Sequence, residues 1–457
     1  MEMPLLLHHS HGFRITDSST HSTKAQLPVF SYKERSKRTV TSKGMFAFLT
    51  ACSLERRCKS RCSERKIKLM YSANINIKGA LQDFSLEGTT FPYYDFVPRL
   101  YNFCLSLGFE PGKILPSRAF CSDENQGYLN ILITKHFGTF PFNHGRVGGI
   151  VATDRHGPHA EHGKDLVIIH ANHVGYDSET CSFGIYHRRH TEHFEATSSC
   201  GKIDSVLEWY IAQYAFAKEN IFLHRQDNEF LVSIDNQILN ENKIEGLFLH
   251  LDNIIEVESH EELRPRKAYS TSKCFEASSK LRELLGETTW PDNGRQPIGE
   301  KLLPELFGFK QHVSSDPETH GLLEGNLIPP MPWIVSSRFP LLTAAQANTQ
   351  AEFDRTYRTM VNNQEYNGKR AVFISGLNID ISPHETQEFP LTTFVPWAAF
   401  VREINGHCTV LEQEDIVNSL FEQSENNQNE VDLEAAIHQN KYTQKIRFMP
   451  LDQKVDE

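Results

Sequence analysis

Apolar and polar positions change rhythm along the chain in short blocks. Residues 91–107 set aromatic and aliphatic side chains at helical spacing and predict an amphipathic helix. Residues 117–120 predict a short strand that ends at Cys121. Residues 146–153, which contain Gly148 and Gly149, predict a strand or a tight strand–turn. Residues 166–170 (LVIIH) form a continuous apolar run of the kind a strand buried on both faces shows. A further strand is expected over 183–189 (FGIYHRR) and a helix over 203–218, with Val206, Leu207, Tyr210, Ile211 and Tyr214 on one side. The stretch 205–264 is expected to be mostly helical. Residues 266–345, punctuated by Pro, Gly and Ser, read as an irregular insertion. A helix over 350–362, a second buried strand over 371–377 (AVFISGL) and a strand over 394–400 follow. Strands alternating with helices imply an α/β domain over 76–410.

The two ends depart from this pattern. Residues 1–75 carry 14 Lys and Arg against 5 Asp and Glu, without periodic apolar positions. They predict a disordered basic segment. Residues 411–457 carry 4 against 11 and predict an acidic mobile tail, with one helix near 430–438. The expected location is cytoplasmic, with an organelle reached through the basic N-terminal segment as the alternative. Cys52, Cys58 and Cys62 lie in that segment with no partner pair at zinc-finger spacing, and read as free thiols.

The overall net charge of −11 argues against a nucleic-acid binder, since phosphate contacts need a basic face. No apolar run approaches the roughly 20 residues of a membrane span. Nine cysteines across 457 residues suit free or metal-bound thiols better than a disulfide framework.

Three potential zinc ligands fall where strands are expected to end. Cys121 follows the strand at 117–120, His173 lies three residues beyond LVIIH, and Cys200 opens the helix that begins near 203. Ligands gather at the carboxyl ends of strands in open α/β sheets. Two thiolates and an imidazole suit zinc and leave a fourth position for water. A helix N-terminus also favours a thiolate at Cys200. The gaps of 52 and 27 residues match no local zinc motif, so the same residues also read as two buried core thiols and a loop histidine. His156, His159 and His162 read as solvated loop histidines; His159 is the one placed to act as a proton shuttle if any does.

The surrounding segments are FCSDENQGYL (120–129), HANHVGYDSE (170–179), HRRH (187–190) and SSCGKI (198–203). Together, and in this order, they resemble the limiting-CO2-inducible protein B/C family, a divergent branch of the β-type carbonic anhydrases. The matching elements are Cys121/Asp123/Glu124, Gly148-Gly149, His173-Val174-Gly175, Arg188-Arg189 and Cys200-Gly201. AVFISGLNIDIS (371–382) resembles that family's late buried strand. The resemblance covers roughly 110–400. The chain departs from the more familiar β-type pattern in having Asn125 where Cys-x-Asp-x-Arg places arginine, and in the wide separation of His173 and Cys200.

The resemblance implies a β-carbonic-anhydrase-like central sheet flanked by helices. It implies a zinc ion on Cys121, His173 and Cys200, reversible hydration of carbon dioxide to bicarbonate, and a homodimer with the site near the subunit boundary. Asp123 is the expected catalytic carboxylate, orienting the attacking water or, alternatively, closing the metal site. Its arginine partner is Arg188 or Arg189; strand alternation aims only one of them inward, and Arg188 is favoured. Two other classes compete: a catalytically silent zinc scaffold or bicarbonate-responsive partner protein, and a thiol enzyme with Cys121 as nucleophile and His173 as base.

Overall fold

The computed structural model describes residues 81, 83–152, 165–189, 194–240, 242–257, 264–312, 317–383 and 391–442. All of them belong to one compact unit. The expectations for 1–75 and for His156, His159 and His162 lie outside the described residues.

In chain order the elements that build the site are helix α1 (Tyr93–Ser106), strand β1 (Ile114–Phe120), helix α2 (Leu129–Phe137) and strand β2 (Asp165–Asp177). Then come the hairpin strands β3 (Ile185–Arg189) and β4 (Phe194–Ser198) and helix α3 (Gly201–Asn220). Strands β5 (Ile221–Gln226), β6 (Glu229–Asp235) and β7 (Ser272–Glu276) belong to a separate sheet. Helix α4 (Pro340–Asn362), strands β8 (Ala371–Ile381) and β9 (Leu391–Arg402) and helix α5 (Gln413–Phe421) complete the set.

The larger sheet has eight strands, with the main order Phe91–Pro92, β9, β8, β2, β1 and Phe142–Asn143. β2 runs parallel to both β1 and β8, and β9 returns antiparallel to β8. Helices cover both faces, so the central strands are buried on both sides, as the continuous runs LVIIH and AVFISGL require. On one face Val167, Ile169, Ala171, Val372 and Ile374 pack against Phe96, Val97 and Leu100 of α1 and Leu129 and Ile133 of α2. On the other, Leu166, Ile168 and Phe373 meet Phe353 and Met360 of α4. No helix among the described residues is long and apolar enough to cross a membrane.

Several boundaries differ from the sequence reading. β2 does not stop at His170 but continues to Asp177, so His173 stands inside the strand. The continuation (ANHVGYD) is half polar, which disguised it. The helix after Cys200 ends at Asn220; β5 and β6 then form an antiparallel hairpin within 205–264, which was expected to be mostly helical. Residues Asp227 and Asn228 make its turn at positive φ, a conformation that Asp and Asn tolerate best among non-glycine residues. Residues 266–345 contribute β7 and the short edge strands Lys267–Ala268 and Gln296–Pro297 to the second, five-stranded sheet. Within the acidic C-terminal segment, α5 buries Ile416, Val417 and Leu420 in the same cluster as α1.

Candidate metal centre

Cys121 is the first residue past β1, His173 lies in β2, and Cys200 is the N-cap residue of α3. The structure brings all three together: their ligating atoms lie within 4.8 Å of one another, and all three residues are buried. The two Sγ atoms are 3.8 Å apart. Two Zn–S bonds of about 2.3 Å at a tetrahedral angle would set the sulfurs about 3.8 Å apart. The donor set therefore fits zinc in number, chemistry and spacing. Among the described residues no carboxylate joins the cluster as a fourth ligand.

The imidazole has a fixed orientation. His173 Nδ1 donates to Asp380 Oδ2 at 2.9 Å, and Ser199 Oγ lies 3.2 Å from the same nitrogen. Nε2 is buried without a hydrogen-bond partner. A buried, orphaned ring nitrogen beside two thiols is what a metal ligand leaves behind when only the protein is considered. Asp380 is fully buried and accepts three further hydrogen bonds, two from Gln126 Nε2 at 3.1 and 3.0 Å and one from Thr392 Oγ1 at 2.9 Å.

The glycines explain the other side of the site. Gly148 donates its backbone N–H to Cys121 Sγ at 3.2 Å. Gly148 and Gly149 both have positive φ, and a Cβ on Gly149 would sit 2.3 Å from Asn172 Oδ1. Only glycine lets this turn pass so close to β2.

Without a metal the three groups share protons unevenly. The Cys121 thiol is drawn down to about 4, because the hydrogen bond from Cys200 outweighs burial and His173 adds to it. Cys200, the donor in that bond, is pushed up by the same contact and by burial. Burial works against the charged form of His173, but the sulfurs and the Asp380 carboxylate outweigh it and hold the ring above its ordinary value.

Asp123 plays two local parts. Its side chain caps the 3-10 turn Glu124–Gln126 by accepting from the Asn125 N–H at 3.2 Å. Its Oδ2 also lies 4.0 Å from His173 Nε2, with the side chain 11% exposed. Arg188 and Arg189 end β3, opposite Glu195 and Phe194 of β4. Tyr186, two residues earlier, is buried; burial first, and then the charges of Asp380 and Asp123, raise its phenol.

Sequence reading did not find Asp380, Gln126, Asn378, Ser199 or Tyr186. Asp380 carried a legible signal: Asn378 and Asp380 alternate within a buried strand, so both polar side chains share one face and need partners there.

No family model and no curated protein sequence matches the chain. Solved structures do match. PtLCIB4, a homologue of the limiting CO2-inducible protein LCIB, covers 74% of this chain and 99% of its own, at 12% identity and a TM-score of 0.42. LCIB itself covers 74% and 100%, at 14% identity and a TM-score of 0.38. The chain is thus similar to limiting CO2-inducible proteins.

Proposed function

We propose that this chain is a zinc-dependent carbonic anhydrase that hydrates carbon dioxide reversibly to bicarbonate. The observation that carries the reading is the donor set itself: two sulfurs at zinc spacing, an imidazole turned so that Nε2 is left to ligate, and no fourth protein ligand among the described residues. When bound, zinc would act as a Lewis acid that lets water serve as a nucleophile near neutral pH. The motif resemblance supplies the substrate.

The protein's own groups then divide the work. Cys121, His173 and Cys200 hold the ion. Asp123, beside Nε2 and nearly buried, accepts a hydrogen bond from the attacking water and orients it toward carbon dioxide. An arginine holds Asp123 in place. We assign that role to Arg188 rather than Arg189, because alternation along a strand aims only one of two neighbouring side chains at the site. The same resemblance carries a homodimer, which light scattering would detect.

The test is stopped-flow hydration with zinc-loaded protein. Wild type should exceed the buffer rate across about pH 6 to 9. Asp123→Ala should keep its zinc and lose a factor of about 10 to 100 in rate. Zinc-loaded wild type that does not exceed the buffer rate would make the chain a zinc-holding scaffold instead.

A further inference from the structure

Behind His173 a chain of buried polar groups runs back into the helical layer. Tyr93 of α1 donates its hydroxyl to Asn378 Oδ1 at 2.8 Å. Asn378 Nδ2 donates to Gln126 Oε1 at 2.6 Å, and Gln126 Nε2 reaches both oxygens of Asp380. Asp380 Oδ2 then holds His173 Nδ1. Tyr93, Gln126, Asn378, Asp380 and His173 are all buried. Each amide is used at both ends, which fixes its orientation: Gln126 can donate to Asp380 only while its oxygen accepts from Asn378.

We infer that Gln126 is a positioning residue of the metal centre: by clamping Asp380 it fixes the ring of His173 with Nδ1 protonated and Nε2 presented to the ion. The clamp touches Oδ2, the same oxygen that accepts from His173, so losing it frees the carboxylate to rotate away from the ring. Gln126 also sits in the turn that Asp123 caps, so the two carboxylates flanking the imidazole are tied through one three-residue turn. Outer carboxylates of this kind set the orientation and basicity of a ligating imidazole. The inference rests on the metal-centre reading, but not on catalysis.

The experiment measures zinc affinity by competition with a chromophoric chelator, in full-length protein, for wild type, Gln126→Met and Thr392→Val. Gln126→Met keeps the volume and removes both the donor to Asp380 and the acceptor for Asn378. It should weaken zinc binding by about 10- to 100-fold. Thr392→Val removes only the bond to Oδ1 and should weaken it less. The cobalt-substituted proteins give a second readout, because a turned imidazole shifts the visible ligand-field bands, whereas a loss of stability alone does not.

Folded Gln126→Met with wild-type zinc affinity and an unchanged cobalt spectrum would overturn the inference. If Gln126→Met does not fold, Gln126→Asn decides: it keeps an amide but draws it back from Asp380 by one methylene, and affinity and spectrum equal to wild type overturn the inference. Wild type that binds zinc but hydrates no carbon dioxide would overturn the proposed function and leave this inference standing.

Discussion

His173 and Asp380, 207 residues apart in sequence, meet through a 2.9 Å hydrogen bond in which Nδ1 donates to Oδ2. The parallel pairing of β2 with β8 makes the contact, since it sets His173 opposite Asn378 and Gly175 opposite Asp380. The bond settles the tautomer, because a carboxylate can only accept from the ring. Asp380→Asn should therefore weaken zinc binding by about 10- to 100-fold. An asparagine that turns its oxygen toward His173 must aim its NH2 at the donors Gln126 and Thr392, so one contact is lost either way. Chelator competition on the folded variant measures this, and unchanged affinity would show that the imidazole orients without the carboxylate.

Zinc loading should release protons in a number that the unequal thiols predict. With Cys121 already ionised at neutral pH, the protons to be displaced are those held by Cys200 and by His173, both raised above their ordinary values. Loading at pH 7 should release about two protons, and apparent affinity should rise about a hundredfold per pH unit near neutrality. Calorimetric titration in buffers of different ionisation enthalpy gives the count. A count below two would show that Cys200 or His173 is already deprotonated in the free protein.

The C-terminal boundary of the folded core should fall after α5 rather than at 410. Ile416, Val417 and Leu420 are buried against the α1 layer, and Arg99 Nη1 donates to the carbonyls of Leu420, Phe421 and Gln423 at 3.3, 3.2 and 2.5 Å. At about 1.5–3 kcal/mol for each buried aliphatic side chain, truncation after residue 410 should cost on the order of 5 kcal/mol, a large share of a typical domain's stability. Truncation after 442 should cost far less. Chemical denaturation of the two truncated proteins compares them directly, and equal midpoints would show that α5 packs without stabilising.

That boundary shows what the sequence conveyed and what it hid. Runs buried on both faces, LVIIH and AVFISGL, were legible because a parallel strand between helical layers must be apolar throughout. Cys121, His173 and Cys200 were legible as ligand types, and the fold does bring them together. Helix α5 was obscured because its few apolar positions sit among acids, and composition outweighed the spacing of Ile416, Val417 and Leu420. The polar half of β2 was hidden for a related reason. Asn172 and His173 are satisfied by partners distant in sequence, and a single chain read locally cannot supply those partners. Gln126 reads as a surface amide until the fold places Asp380 beside it.

Stability should also fall on mild acidification, through a histidine that binds no metal. His170 lies on the opposite face of β2 from His173, fully buried, with Nε2 3.0 Å from the Gly149 carbonyl and Nδ1 2.7 Å from Ser375 Oγ. The carbonyl can only accept, so Nε2 carries the proton and Nδ1 accepts from the serine hydroxyl. A second proton on Nδ1 would reverse that bond, with the hydroxyl accepting, and leave a positive charge inside the core, and burial holds the ring down to about 4. An unfolded histidine titrates near 6.5. The unfolded state therefore binds more protons between those values. The stabilisation is complete above about pH 6.5, falls as pH drops toward about 4, and changes no further below it. Its size is on the order of 3 kcal/mol. His136 is also held down to about 4 by burial and acts in the same direction. Urea denaturation of metal-free wild type and His170→Gln at about pH 7, 5.5 and 4.5 isolates the term, since the metal ligands contribute equally to both. Glutamine can reproduce both hydrogen bonds without titrating, so the gap between the two proteins should narrow as pH falls. A gap constant across the series would show that His170 does not carry the acid sensitivity.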